Sequence, residues 1–185
     1  GDTIKLLQNI DYTNNSSNPA ILIDGKNISF DLSGHTLNIN NSMYEGVTLA
    51  NQAGMSFTGG GQLMINTKQS GLFISDSNFE SDGTVTVTIV SSDGAGVKAY
   101  RSTVDIQKGS TSGYTYGIYA DSDCTIIVNG PVTSADSHAV FLDGVRNSVN
   151  VGSAAVTGGE GHGVRIGYGG TVTVGSQASP GSVTG

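Results

Sequence analysis

Apolar and polar residues alternate in short runs along the whole chain, the period of half-buried strands rather than of helices. One phrase, a small residue followed by apolar–any–apolar, recurs seven times. Its copies begin at Ala20, Gly46, Gly71, Gly96, Gly117, Ala139 and Gly163, with steps of 26, 25, 25, 21, 22 and 24 residues. A second alternating run follows each copy after a short turn: Ile28–Leu32, Met55–Thr58, a weak one around Phe79, Thr103–Ile106, Thr125–Val128, Ser148–Val151 and Thr171–Val174. Each ends on a glycine, at 34, 60, 83, 109, 130, 152 and 175, which predicts a repeated turn position with positive φ. A third run is clearest at Thr36–Asn40, Gln62–Asn66, Thr84–Val90, Pro131–Thr133 and Ala155–Thr157. The fourth repeat has no convincing third run, because Ser110–Tyr116 is short and polar.

Three strands per repeat, each with one apolar face, make a unit that cannot bury a core alone. Stacking at the ~4.8 Å inter-strand spacing solves this, because each strand then pairs with the units above and below. The expected fold is all-β: a right-handed parallel β-helix of about seven three-strand coils. Its stacked inward row is Ile21, Val47, Leu72, Val97, Ile118, Val140 and Val164. Residues 1–19 read as an N-terminal capping strand and linker, and 20–185 as the solenoid, ending where an eighth coil is expected to begin. An antiparallel sandwich built from hairpins is the competing architecture, but it gives no reason for three unlike strands to recur in fixed order.

Composition supports this and narrows function. Of the 185 residues, 28 are Gly and only 12% are charged, and Val plus Ile far outnumber Leu, which disfavours helical folds. The net charge of −7 and the lack of a basic run argue against nucleic acid. No run approaches the ~20 apolar residues of a membrane span, so no membrane insertion is expected. Gly1–Ile10 carries no signal-peptide pattern, so a secreted origin implies prior removal. Cys124 has no partner for a disulfide, leaves the redox compartment open, and reads as an inert turn thiol.

The opening GDTIKLLQNIDY with ILIDGKNISFDLSGHTLNI at 21–39 resembles the entry segment of secreted bacterial right-handed parallel β-helix proteins of pectin-lyase-like architecture. Many of these are repeat-rich surface or adhesin-like proteins. The resemblance implies an extracellular, cell-surface or secreted location. It also implies ligands on the outer face of one strand stack. Gly175–Gly185 offers no cover for the last coil, so the chain is expected to be a piece of a larger multidomain protein that continues into further coils or another module.

The outward row of the first strand is Leu22, Thr48, Phe73, Lys98, Tyr119, Phe141 and Arg165; the next is Asp24, Ala50, Ser75, Tyr100, Asp121, Asp143 and Gly167. Four aromatics, interleaved with Lys98 and Arg165, can stack on sugar rings and pair with acidic groups. The candidate ligand-binding residues are therefore Phe73, Lys98, Tyr100, Tyr119, Phe141 and Arg165, for a polysaccharide or a host or cell-surface glycan. The plainer alternative is that the rings only stabilise neighbouring coils. Asp121 and Asp143, equivalent on adjacent coils, are weak candidates with Arg165 for a glycosidase-like carboxylate pair. They also fit solvated turn aspartates or, less well, a calcium site; no other cofactor is implied.

Gly161-His162-Gly163 resembles the GHG strand of polygalacturonases, but the preceding coils lack that family's acidic partners, with Ser137 and His138 in one and Thr115 and Tyr116 in the other. Tyr116, His138 and His162 are expected to stack as a structural row at a corner, a metal-binding or pH-sensitive pair being the alternative, and His35 reads as structural. The second-strand outer face is mixed and acidic, unlike a uniform threonine ice-binding plane. The leading expectation is a non-enzymatic extracellular surface module that binds polysaccharide along its first-strand face. The alternative is a polysaccharide lyase or glycoside hydrolase acting on an acidic polysaccharide.

Overall fold

The computed structural model describes residues 1–152, 154–175 and 181–185. They form a β-solenoid of about seven turns built from three all-parallel sheets, with no helix. The first strands stack in chain order as Ile21–Asp24, Val47–Ala50, Leu72–Ser75, Ala95–Tyr100, Tyr116–Asp121, His138–Asp143 and Val164–Ile166. The second strands stack from Asp2–Lys5 to Gly170–Val174, and the third from Ile10–Asn14 to Ser182–Thr184. Uniformly parallel pairing removes the hairpin sandwich.

The register places Ile21 over Val47, then Leu72, Val97, Ile118, Val140 and Val164 in one column, as the repeat predicts. Its five central members are fully buried. The core is completed by a column on the third sheet, Ile39, Ile65 and Ile89, and by Phe30, Phe57 and Phe79 under the second. Phe30 and Phe57 stack at a centroid separation of 5.1 Å, and Phe79 packs tilted against Phe57 at 5.6 Å. Asp2–Lys5 and Ile10–Asn14 within the 1–19 segment add the leading strands of the second and third sheets. Ser182–Thr184 closes the last third strand over Ala155–Thr157, while 176–180 lie outside the described residues.

Four details depart from expectation. The strand around Phe79 is a full one, Asn78–Ser81, with Phe79 buried. The fourth coil has its third strand, Gly109–Gly113. Its inward positions are Gly109, Thr111 and Gly113, so no apolar residue announces it. Thr111 takes the core slot next to Ile89 and donates its hydroxyl to the Gly117 carbonyl at 3.1 Å. On the second sheet Ser56 lies over Glu80 and Gly54 over Asn78, one pair along from the register obtained by aligning Ser56 with Asn78, the first outward residue of its run. Finally, of the seven turn glycines only Gly34, Gly60, Gly109 and Gly175 have positive φ. Gly130 is small for a different reason: a Cβ there would run into the Gly109 carbonyl.

Polar residues buried at the corners satisfy the turns, as buried peptide groups require. Asn41 donates to the Asn18 and Glu45 carbonyls, both at 2.8 Å, and accepts from the Met43 and Tyr44 amides. At the corner between the first and second strands, Ala53, Ser77, Ser102, Cys124 and Asn147 occupy one column. The Ser77 hydroxyl accepts from the Ala53 amide, Ser102 from Ser77, and Asn147 from Cys124, each at 3.1 Å. Outside this column, Arg101 grips Asp76 with two 2.7 Å hydrogen bonds, and Arg146 pairs with Asp123. Each guanidinium holds its partner's carboxyl below the usual range.

Candidate carbohydrate-binding face

The outer face of the first-strand sheet carries every candidate binding residue in the expected register. Phe73 lies beside Lys98, Lys98 beside Tyr119, Tyr119 beside Phe141, and Phe141 beside Arg165. The next row sets Ser75, Tyr100, Asp121 and Asp143 side by side. Strand spacing alone would put rings ~4.8 Å apart. The directly paired Tyr119 and Phe141 tilt and spread to 5.7 Å, while the diagonal neighbours Phe73–Tyr100 and Tyr100–Tyr119, ~7–8 Å apart by strand geometry, lean together to 5.7 and 6.0 Å between centroids. The result is a continuous, partly exposed aromatic strip across four coils.

Lys98 stands among three of these rings, its Nζ 6.0 Å from the Phe73 centroid and 5.8 Å from those of Tyr100 and Tyr119. Arg165 covers Phe141 at 5.2 Å. Cation–π attraction fixes both cations against the strip while their donors stay available. The Tyr119 hydroxyl donates to Asp143 Oδ2 at 3.1 Å; burial first, then that carboxylate, raises the phenol's pKa well above its ordinary value. Asp121 accepts from the Ser122 hydroxyl at 3.0 Å. Among the described residues, neither Lys98 nor Arg165 forms an ion pair with Asp121 or Asp143.

The strip is wider than alternation implies. Tyr116 shares parity with inward Ile118, yet its ring meets Tyr119 at 5.6 Å and Phe141 at 5.4 Å on the outside. The small residue between them explains this. Gly117 and Ile118 are both buried because the chain turns a corner there, so the parity reverses. A Cβ on Gly117 would sit 2.6 Å from the Thr133 carbonyl oxygen and 2.7 Å from that of Ala139. The repeated small residue thus marks close approach between the third and first strands. It was the one signal in the sequence that Tyr116 and His138 belong to the outer face. Beside this corner, Gln69, Asp93, Lys98, Thr115, Tyr116 and Tyr119 line an open hollow of about 410 Å³.

The Tyr116–His138–His162 row is present, with stacked centroids at 6.2 and 5.4 Å. No cluster of three metal-ligating His, Cys, Asp or Glu side chains occurs among the described residues. Cys124 is buried and burial raises its thiol pKa, with its Sγ directed at the Asp121 and Ser122 carbonyls. It fills a serine-like slot in the corner column. His35 lies in the turn before a third strand, its amide bonded to the Leu32 carbonyl at 2.8 Å. No protein-family model, curated protein or solved structure matches this chain.

Proposed function

We propose that this solenoid is a non-enzymatic extracellular module of the bacterial surface or adhesin type, with pectin-lyase-like architecture, that binds polysaccharide along its first-strand face. The observation that carries the proposal is the aromatic strip Phe73–Tyr100–Tyr119–Phe141, widened by Tyr116 and bordered by Lys98 and Arg165. Sugar rings present C–H faces that stack on such surfaces, and hydroxyls that pair with flanking polar groups. Core stability does not require five large rings on the outside of a solenoid whose interior is already filled. The register spans several coils, which suits an extended chain of sugars more than a single small molecule. No cofactor is invoked.

The turns next to the strip are short: three residues separate Tyr116–Asp121 from Thr125–Val128 and Asn147 follows Asp143 by four. They raise no wall around the face, which favours holding a polymer over sequestering a reaction from water. The second reading, a lyase or glycoside hydrolase for acidic polysaccharide, keeps one supporting fact, the in-register pair Asp121 and Asp143. Affinity electrophoresis in gels containing plant or bacterial polysaccharides tests the first reading. Retardation of the parent protein should be lost in Tyr119→Ala; a parent protein that no polysaccharide retards, or a variant retarded equally, defeats it. The enzyme reading requires release of reducing or unsaturated ends that Asp143→Asn abolishes.

A further inference from the structure

His138 is more than nine-tenths buried, and its ring is sandwiched between Tyr116 and His162 with Phe141 at its edge, 5.8 Å away. Its Nδ1 accepts the His162 backbone N–H at 2.8 Å. This contact is built in: Gly161 lets the chain pass so close that a Cβ there would lie 2.5 Å from Nδ1. The other nitrogen, Nε2, faces Arg165 Nη1 at 3.3 Å. A neutral imidazole has one lone pair with which to accept, and two donors claim it. The shorter, backbone-fixed contact takes it, so the ring proton sits on Nε2 and points toward a guanidinium that also only donates.

Burial, followed by the charge of Arg165 and the neighbouring His162, lowers the ring's pKa and keeps it neutral near pH 7. Among the described residues no carboxylate lies within ion-pairing distance of Arg165. Asp143, on the same sheet, accepts from the Tyr119 hydroxyl through Oδ2 and forms no ion pair with Arg165. Two donors, one of them buried and held in place, therefore face each other with no acceptor between them. Phe141 holds the guanidinium from below, leaving its remaining N–H groups to reach outward.

We propose that His138 Nε2–H and Arg165 form an oxyanion site at one end of the aromatic strip, and that it takes a carboxylate carried by the bound chain. The proposal rests on the glycan reading for the source of that carboxylate, but the site itself does not need it. The carboxylate oxygen accepts from both donors at once, which turns a donor–donor conflict into two charge-assisted hydrogen bonds. A neutral polymer has nothing to offer there. The strip then acts as the general platform and this end as the selector of acidic sugars.

The test is an NMR titration of ¹⁵N-labelled protein with sodium acetate, sodium sulfate and, as the uncharged control, acetamide. Acetate should shift the His138 imidazole and Arg165 side-chain nitrogens saturably, while acetamide leaves them in place. Arg165→Gln, at an exposed position, should weaken acetate about tenfold or more, the scale of one hydrogen bond to a charged group. Absence of a saturable shift with either anion, or an unchanged affinity in Arg165→Gln, overturns the site; saturation by sulfate alone overturns the choice of carboxylate. Gel retardation separates the two levels. In gels of an acidic polysaccharide, retardation that Tyr119→Ala abolishes and Arg165→Gln leaves intact removes the anion site and keeps the binding face. Acetate binding by a protein that no polysaccharide retards supports the anion site and removes the glycan reading.

Discussion

Gly117→Ala tests the corner that turns Tyr116 outward. The added methyl would meet two backbone oxygens at 2.6 and 2.7 Å and Val132 Cγ1 at 2.8 Å, without any positive φ to blame. Side chains can rotate away from such a clash, but carbonyl oxygens held in parallel ladders cannot, so the third strand must move. Overpacking of a dense interior costs typically ~1–3 kcal/mol, and contacts to fixed backbone on two sides place this one near the top of that range. For a chain of this size that corresponds to a fall of roughly 6–12 °C in melting temperature, at about 2–4 °C per kcal/mol.

Two control glycines separate the causes. Gly34→Ala has open space around the new methyl but a φ of 81°, so it should cost about 1–2 kcal/mol from conformation alone. Gly83→Ala has open space and no positive φ, and should be neutral or stabilise by about 0.4–1 kcal/mol. Thermal and urea unfolding followed by circular dichroism give the order. The close-approach argument fails if Gly117→Ala melts with Gly83→Ala. Because the displaced strand also shifts Tyr116, the variant should lose polysaccharide retardation at temperatures where it remains folded.

Two further outcomes follow from the buried groups. The Cys124 thiol, buried and raised in pKa, should react with an aromatic disulfide reagent orders of magnitude more slowly in the native protein than in urea; equal rates would refute its placement. His138, whose folded pKa lies below the unfolded value of 6.5, contributes no penalty above that pH; stability then declines as pH falls through 6.5 toward the folded value. The loss, about 1.4 kcal/mol for each unit of depression, is complete only below the folded value, where both states are protonated. The difference in urea midpoint between pH 7.5 and pH 5.5 should therefore shrink in His138→Gln; an undiminished difference contradicts the assignment.

Much of the architecture was legible from spacing alone. A parallel solenoid demands that inward residues repeat once per coil, and the Ile21-to-Val164 column does so in plain view because each member must be apolar to be buried there. The outward row from Phe73 to Arg165 follows automatically, since alternation ties each outward residue to its inward neighbour. The strand Gly109–Gly113 was hidden because Thr111 fills a core slot with a hydroxyl that a carbonyl satisfies, which local hydrophobicity does not register. The turn glycines looked alike as letters, yet some serve a positive φ and others a close approach.

The division of labour has a physical basis. Strand pairing, column membership and the presence of an aromatic outer row are consequences of periodicity, which is a property of the chain read in one dimension. The corner at Gly117, the turning of Tyr116 onto the outer face and the meeting of His138 with Arg165 depend on how three sheets pack around a bend. Side-chain direction there is set by steric exclusion between strands remote in sequence, and by which donor reaches a single lone pair first. Only the folded solenoid decides those.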